Sequence, residues 1–169
     1  MNPENPEVIF VDDSRTVRRL ARKLLKDRYV VHTCGDAEEA WSMIRVMTSI
    51  KIIFSDIYMK GMSGIDLLKS IRSSDNPRIA DLPVIMITGA SDSEANMLEV
   101  FELGATDFIA KPFKQMDLIT RAYSYIKLTE RVDSLEQQLG IDKLTGLYNE
   151  NSMKQHAAKF FAFSRRYGT

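Results

Sequence analysis

The chain predicts an α/β fold: a doubly wound parallel sheet with helices on both faces. Three observations carry that expectation. Short apolar runs alternate with stretches of helical periodicity along most of the sequence. The runs are continuously apolar rather than alternating, as strands buried on both faces are. Several of them end on a polar side chain, at Asp12-Asp13, Asp56, Thr88 and Lys111. Such endings suit the carboxyl edge of an open sheet, where reactive groups are presented.

The elements follow in order. Val8-Ile-Phe-Val11 is the first strand, and Asp12-Asp13 closes it. Ser14 is the expected N-cap of a helix from about Arg15 to Lys26, with Val17, Leu20, Ala21, Leu24 and Leu25 on its apolar face. Tyr29 to Cys34 is the second strand. Gly35-Asp36 turns into a helix whose inner face is Ala37, Ala40, Trp41, Ile44 and Met47. Ile52-Ile-Phe54 is the third strand and runs through Ser55 into Asp56. A glycine-punctuated loop, Ile57 to Gly64, leads to a third helix with Ile65, Leu67, Leu68 and Ile71, which Asp75-Asn-Pro-Arg78 breaks. Pro83 to Thr88 is the fourth strand. Gly89-Ala-Ser-Asp92 opens a fourth helix with Met97, Val100, Phe101 and Leu103, and Gly104 stops it. Asp107 to Lys111 is the fifth strand.

The final helix starts near Gln115 and meets no breaker before Gly140, roughly 37 Å at ~1.5 Å per residue. Ile119, Ala122 and Ile126 suffice to cover the sheet. Tyr125, Leu128, Val132, Leu135 and Leu139 follow the spacing of a coiled-coil seam, so the overshoot reads as a dimer or signalling helix.

Composition narrows the function. Lys+Arg and Asp+Glu both number 23, so the net charge of +0 gives the whole chain no footprint for nucleic acid or an anionic membrane. The single cysteine, Cys34, cannot form an internal disulfide and reads as a buried free thiol. No signal peptide and no run of membrane-spanning length occurs, so the expected location is cytoplasmic.

A doubly wound sheet would gather Asp12, Asp13, Asp56, Thr88 and Lys111 at one edge. Close carboxylates repel by ~4 kcal/mol per pair at 4 Å and an effective dielectric near 20, so such a cluster calls for a cation. Hard oxygen ligands without nearby histidine or cysteine point to Mg²⁺. Asp56 is then the carboxylate nucleophile toward a phosphoryl group. Lys111 and the Thr88 hydroxyl would hold the phosphoryl oxygens. Movement of Thr88 would leave space for the Phe108 ring, which makes these two the expected switch.

Residues 7 to about 126 resemble the receiver domain of a two-component response regulator. The resemblance rests on Val11-Asp-Asp-Ser14, Ser55-Asp-Ile-Tyr-Met59, Met62-Ser-Gly64, Thr88-Gly-Ala90 and Gly104-Ala-Thr-Asp-Phe-Ile-Ala-Lys-Pro112. It implies a flavodoxin-like sheet of strand order 2-1-3-4-5 and Mg²⁺-dependent phosphoryl transfer to Asp56 from a histidine kinase or phosphotransfer protein. It implies ligation by Asp13, Asp56 and the Tyr58 carbonyl, with Asp12 in support through water, and a cis bond between Lys111 and Pro112. Tyr58 and Ala90 occupy positions that influence phosphate lifetime in that family. Lys60 departs from it, standing where proline is usual.

Asp142-Lys-Leu-Thr-Gly-Leu-Tyr-Asn149 resembles the opening of a GGDEF diguanylate cyclase domain. The expected organisation is a receiver over 1–126, a coiled-coil linker helix over 127–140 and a truncated cyclase start over 141–169. Since the cyclase signature loop and nucleotide site are missing, the expected function is a non-enzymatic, homodimeric phosphoacceptor switch. Two alternatives stand beside it. One is a phosphorylation-independent dimeric scaffold. The other is a haloacid-dehalogenase-like phosphatase, which would need a second aspartate where Tyr58 stands.

Overall fold

Val8, Ile9, Phe10 and Val11 are wholly shielded from solvent in the computed structural model, which describes residues 5–89, 94–139 and 152–154. They belong to β1 (Glu7–Val11), an interior strand of a five-stranded parallel sheet. The other strands are β2 (Val30–Cys34), β3 (Ile50–Asp56), β4 (Val84–Thr88) and β5 (Asp107–Ala110), and the order is β2-β1-β3-β4-β5. Each apolar strand residue faces one side or the other, because successive side chains alternate. Val8, Phe10, Ile52, Phe54, Ile85 and Ile87 face one layer, while Ile9, Val11, Ile53 and Met86 face the other. A fully buried Leu, Ile or Phe contributes about 1.5–3 kcal/mol, which explains why the strands read as unbroken apolar runs.

Helices α1 (Arg15–Leu25) and α6 (Gln115–Leu139) cover the first layer through Ala21, Leu25, Leu118, Ala122 and Ile126. Helices α2 (Ala37–Val46), α3 (Gly64–Arg72), α4 (Pro77–Ala80) and α5 (Glu94–Glu102) belong to the second. Local chemistry sets their starts. Asp36 caps α2 by accepting from Glu39 N at 2.7 Å. Ser63 and Asp66 form a reciprocal capping box on α3.

Ser14 occupies the N-cap position of α1, but its side chain makes no cap hydrogen bond. Its backbone N–H instead donates to Asp12 Oδ1 at 2.8 Å. Leu20, expected on the buried face, is 44% exposed, because α1 packs chiefly through Ala21 and Leu25. The segment expected only to break α3 also forms the short helix α4, with Pro77 in its first turn and Asn76 capping it. Lys111 follows β5 rather than ending it. The Gly89–Asp92 helix opening lies outside the described residues apart from Gly89.

The chain divides into two compact units, Met1–Ile126 and Lys127–Thr169. Of the expected seam, Tyr125 packs with the α6 residues that cover the sheet. In the second unit Leu128, Val132 and Leu135 are exposed, and Lys127 pairs with Glu130 at 2.7 Å. The GGDEF-like segment at 142–149 lies outside the described residues. Among the described residues no helix is long and apolar enough to cross a membrane.

Candidate functional site

The sheet changes winding direction between β1 and β3, the position where open α/β sheets leave a crevice at their carboxyl edge. Asp12 and Asp13 follow β1, and Asp56 ends the neighbouring β3. One carboxylate oxygen from each of the three lies within 4.8 Å of the others. Asp12 is fully buried, Asp56 nearly so, and Asp13 exposed. Thr88 ends β4 and is buried.

Lys111 answers this concentration of negative charge. Its Nζ lies 2.8 Å from Asp12 Oδ2 and 2.8 Å from Asp56 Oδ2. Its backbone N–H donates to Thr88 O at 2.8 Å, which anchors the residue after β5 to the end of β4. The Lys111–Pro112 bond is cis, as the family resemblance implies.

The electrostatics follow. Burial raises the Asp56 pKa above its usual value, and the Lys111 hydrogen bond and charge oppose the rise without cancelling it. Burial works to lower the Lys111 pKa. Hydrogen bonds and charge from Asp12 and Asp56 outweigh it, so the ammonium is held above its usual value. The site therefore contains a committed cation and a carboxylate short of solvation.

Its loops are tied to the scaffold. Asp12 O accepts from Arg18 Nη1 at 2.6 Å, and Ser55 Oγ donates to Asp56 O at 3.1 Å. After Asp56, Ile57 N donates to Ile87 O at 3.3 Å and Gly64 N donates back to Ile57 O at 3.0 Å. Tyr58 lies in this loop with its side chain 56% exposed. Glu38 of α2 accepts from Met62 N at 3.2 Å, steadying the loop that contains Lys60 instead of proline. Sequence reasoning missed Arg18, Glu38 and Ser55, whose contacts depend on tertiary placement or on one hydroxyl rotamer. Gly64 was visible as a turn residue, but not its backbone hydrogen bond to Ile57 O.

The proposed switch pair shares one sheet face. Thr88 pairs in register with Ala110, and Phe108, two residues earlier on β5, pairs with Met86. Phe108 is partly buried, with its ring centroid 6.5 Å from that of Phe101.

Residues 8–123 match the model of the response regulator receiver domain. The regulatory protein VanRB of Enterococcus faecalis is 30% identical over 139 residues, covering 82% of this chain and 59% of that protein. The transcriptional regulatory protein YvrH of Bacillus subtilis is 31% identical over 128 residues, covering 75% and 51%. The chain thus spans between half and three-fifths of these relatives' length. Among solved structures, the receiver domain of a LuxO repressor protein from Vibrio parahaemolyticus superposes with a TM-score of 0.71 at 27% identity, covering 78% of this chain and 98% of that one. A protein described as adenylate cyclase from Rhodopirellula baltica superposes with a TM-score of 0.68 at 26% identity, covering 80% and 97%. These matches leave the haloacid-dehalogenase alternative without support. Sheet order, acidic crevice and family match agree, and the chain belongs to the response regulator receiver family.

Proposed function

We propose that Asp56 is the phosphoacceptor of this receiver and that Lys111 and Thr88 hold the incoming phosphoryl oxygens. The observation that carries this reading is the clustering of Asp12, Asp13 and Asp56 around the Lys111 ammonium. An Asp56 carboxylate oxygen forms the new P–O bond. The P–N bond of the donor's phosphohistidine breaks, its electron pair stays on nitrogen, and the ring, protonated at its other nitrogen before transfer, leaves as neutral imidazole. Burial leaves the Asp56 carboxylate poorly solvated, which favours its use as a nucleophile once the charge around it is balanced.

The donor set fits a divalent cation, since it is all oxygen and three carboxylates share one crevice. Asp13, Asp56 and the Tyr58 carbonyl would hold Mg²⁺, with Asp12 in support through water. The ion would supply charge neutralisation for the arriving phosphoryl group. Aspartate phosphorylation replaces a single negative charge with roughly two, in the manner of other phosphorylated side chains. Thr88 then moves toward the phosphoryl oxygens and Phe108 takes the freed space, carrying the change to α5 and β5.

The partners in this reading are a histidine kinase or phosphotransfer protein and a second copy of the chain, with no nucleic acid and no membrane, in the cytoplasm. Residues 127–140 would link the receiver to a GGDEF-like cyclase output whose start is read in 141–169. The Asp142–Asn149 resemblance supports it. A phosphorylation-independent scaffold remains the second reading, favoured only by the exposed Leu128, Val132 and Leu135.

The test is labelling by acetyl phosphate followed by intact-mass measurement. One phosphoryl group per chain is expected with Mg²⁺, and none without it or in Asp56→Asn. Undiminished labelling of Asp56→Asn would reject the assignment.

A further inference from the structure

A second charged cluster lies outside the acidic crevice. Arg15, Arg18, Arg19 and Arg22 of α1, together with Thr33 of β2, line an open cavity of about 160 Å³. Their spacing places them on one stripe of the helix, three and four residues apart. Four guanidinium groups at that spacing repel one another unless an anion lies between them. Among the described residues none of the four forms an ion pair. The nearby acids have other duties: Glu39 Oε2 accepts from Gly35 N at 2.8 Å, and Asp36 Oδ1 accepts from Glu39 N at 2.7 Å.

Two of the arginines are held in place by groups that leave their charge uncompensated. Arg18 Nη1 donates to Asp12 O at 2.6 Å. Arg22 Nη2 lies 3.3 Å from both Val31 O and Thr33 Oγ1. Neutral acceptors therefore orient the guanidinium groups, and the remaining N–H donors stay available. The Thr33 oxygen accepts from Arg22, so its hydroxyl proton is free to serve a ligand. The α1 lysine Lys23 does not line the cavity. The donors are planar forks, which match phosphate oxygens two at a time.

We propose that this cavity is an anion site for a diphosphate group, either free pyrophosphate or the diphosphate of a nucleotide. The cavity, about 160 Å³ and open to solvent, has room for two phosphoryl groups with the rest of a ligand outside. Four positive charges suit the charge of a diphosphate better than that of a monoanion. The site does not depend on Asp56 accepting phosphate.

The experiment is calorimetric titration of the whole chain in magnesium-free, EDTA-containing buffer with pyrophosphate, ADP, AMP and a duplex oligonucleotide. Pyrophosphate and ADP are expected to bind one per chain, and AMP about tenfold more weakly or less. Equal affinity for pyrophosphate and ADP would assign recognition to the diphosphate alone, and tighter ADP binding would add a contact to the nucleoside. Arg15→Gln with Arg19→Gln, both at exposed positions, should weaken pyrophosphate binding at least about tenfold. Arg19→Lys with Arg22→Lys should also weaken it, since charge is kept while the fork is lost. Pyrophosphate should raise the thermal midpoint of the unsubstituted chain, a readout that needs no variant. Absence of saturable pyrophosphate binding would overturn the proposal. So would unchanged binding in the glutamine pair, or in the lysine pair. Preferential binding of a duplex oligonucleotide, at a stoichiometry set by its length, would also overturn it in favour of a general polyanion surface.

Discussion

Lys111 Nζ sits 2.8 Å from Asp56 Oδ2 across a sequence separation of 55 residues, and equally close to Asp12 Oδ2. One ammonium thus serves two buried carboxylates. Lys111→Met removes it and leaves Asp12 and Asp56 facing each other with little water. The expected cost is on the order of 2 kcal/mol or more without divalent cation, read as a lower urea midpoint. An unchanged midpoint would mean that the carboxylates are better solvated than their burial indicates.

Asp56 itself should reduce stability. Its folded pKa is raised above 3.8, with burial as the largest cause. The folded state therefore holds this proton more tightly than the unfolded chain does. Stability falls as pH rises from 3.8 through the folded value and stays lowered above it. Asp56→Asn should accordingly melt at a higher temperature than the parent at neutral pH in EDTA. The gap should shrink as the pH approaches 3.8. Thermal melts across that range check both the sign and the window.

If the carboxylates hold Mg²⁺, the ion should stabilise the fold by mass action, by about 2.7 kcal/mol at a hundredfold excess over Kd. Asp13 is exposed, so Asp13→Asn should fold normally yet lose most of that gain. Differential scanning calorimetry with and without Mg²⁺ on both proteins decides it. Equal gains would remove Asp13 from the ligand set.

Gly64 has a tighter constraint than its place in a turn suggests. A Cβ there would overlap the Asp56 carbonyl oxygen and lie 2.9 Å from both the Asp56 carbonyl carbon and Ser55 Oγ. Backbone atoms cannot swing aside, so Gly64→Ala must shift the β3–α3 loop. A loss of about 1–3 kcal/mol is expected, with weaker Mg²⁺ stabilisation, checked by urea unfolding and by the calorimetry above.

Leu135 tests the association proposed for α6. It is 59% exposed, an apolar side chain without cover among the described residues. Leu135→Asp should leave the unfolding free energy of the receiver within about 0.5 kcal/mol of the parent, as exposed substitutions do. Sedimentation velocity should show a shift toward monomer. An unchanged mass distribution would place any association elsewhere.

The strands were legible because both sheet faces are covered, so burial wrote continuous apolar runs into Val8–Val11, Ile52–Phe54 and Val84–Ile87. The strand-end residues Asp56 and Thr88 were legible for the same reason, as polar side chains that interrupt those runs at one edge. Leu20 was misplaced because helical periodicity predicts a stripe wider than the neighbours of α1 actually cover. Helix α4 was missed because four residues are too few to show a period, although Asn76 and Pro77 are its start signals.

Sequence alone thus determined the alternation of elements, the acidic crevice and the lysine that answers it, since each leaves a local pattern of polarity. Only the tertiary structure decided that one ammonium bridges Asp12 and Asp56. It also decided that Arg18 reaches back to Asp12 O, that Glu38 steadies the loop after β3, and that Gly64 has no room for a side chain. Those relations depend on distances between segments remote in the chain. Such distances are set by how the layers pack, which no local pattern encodes.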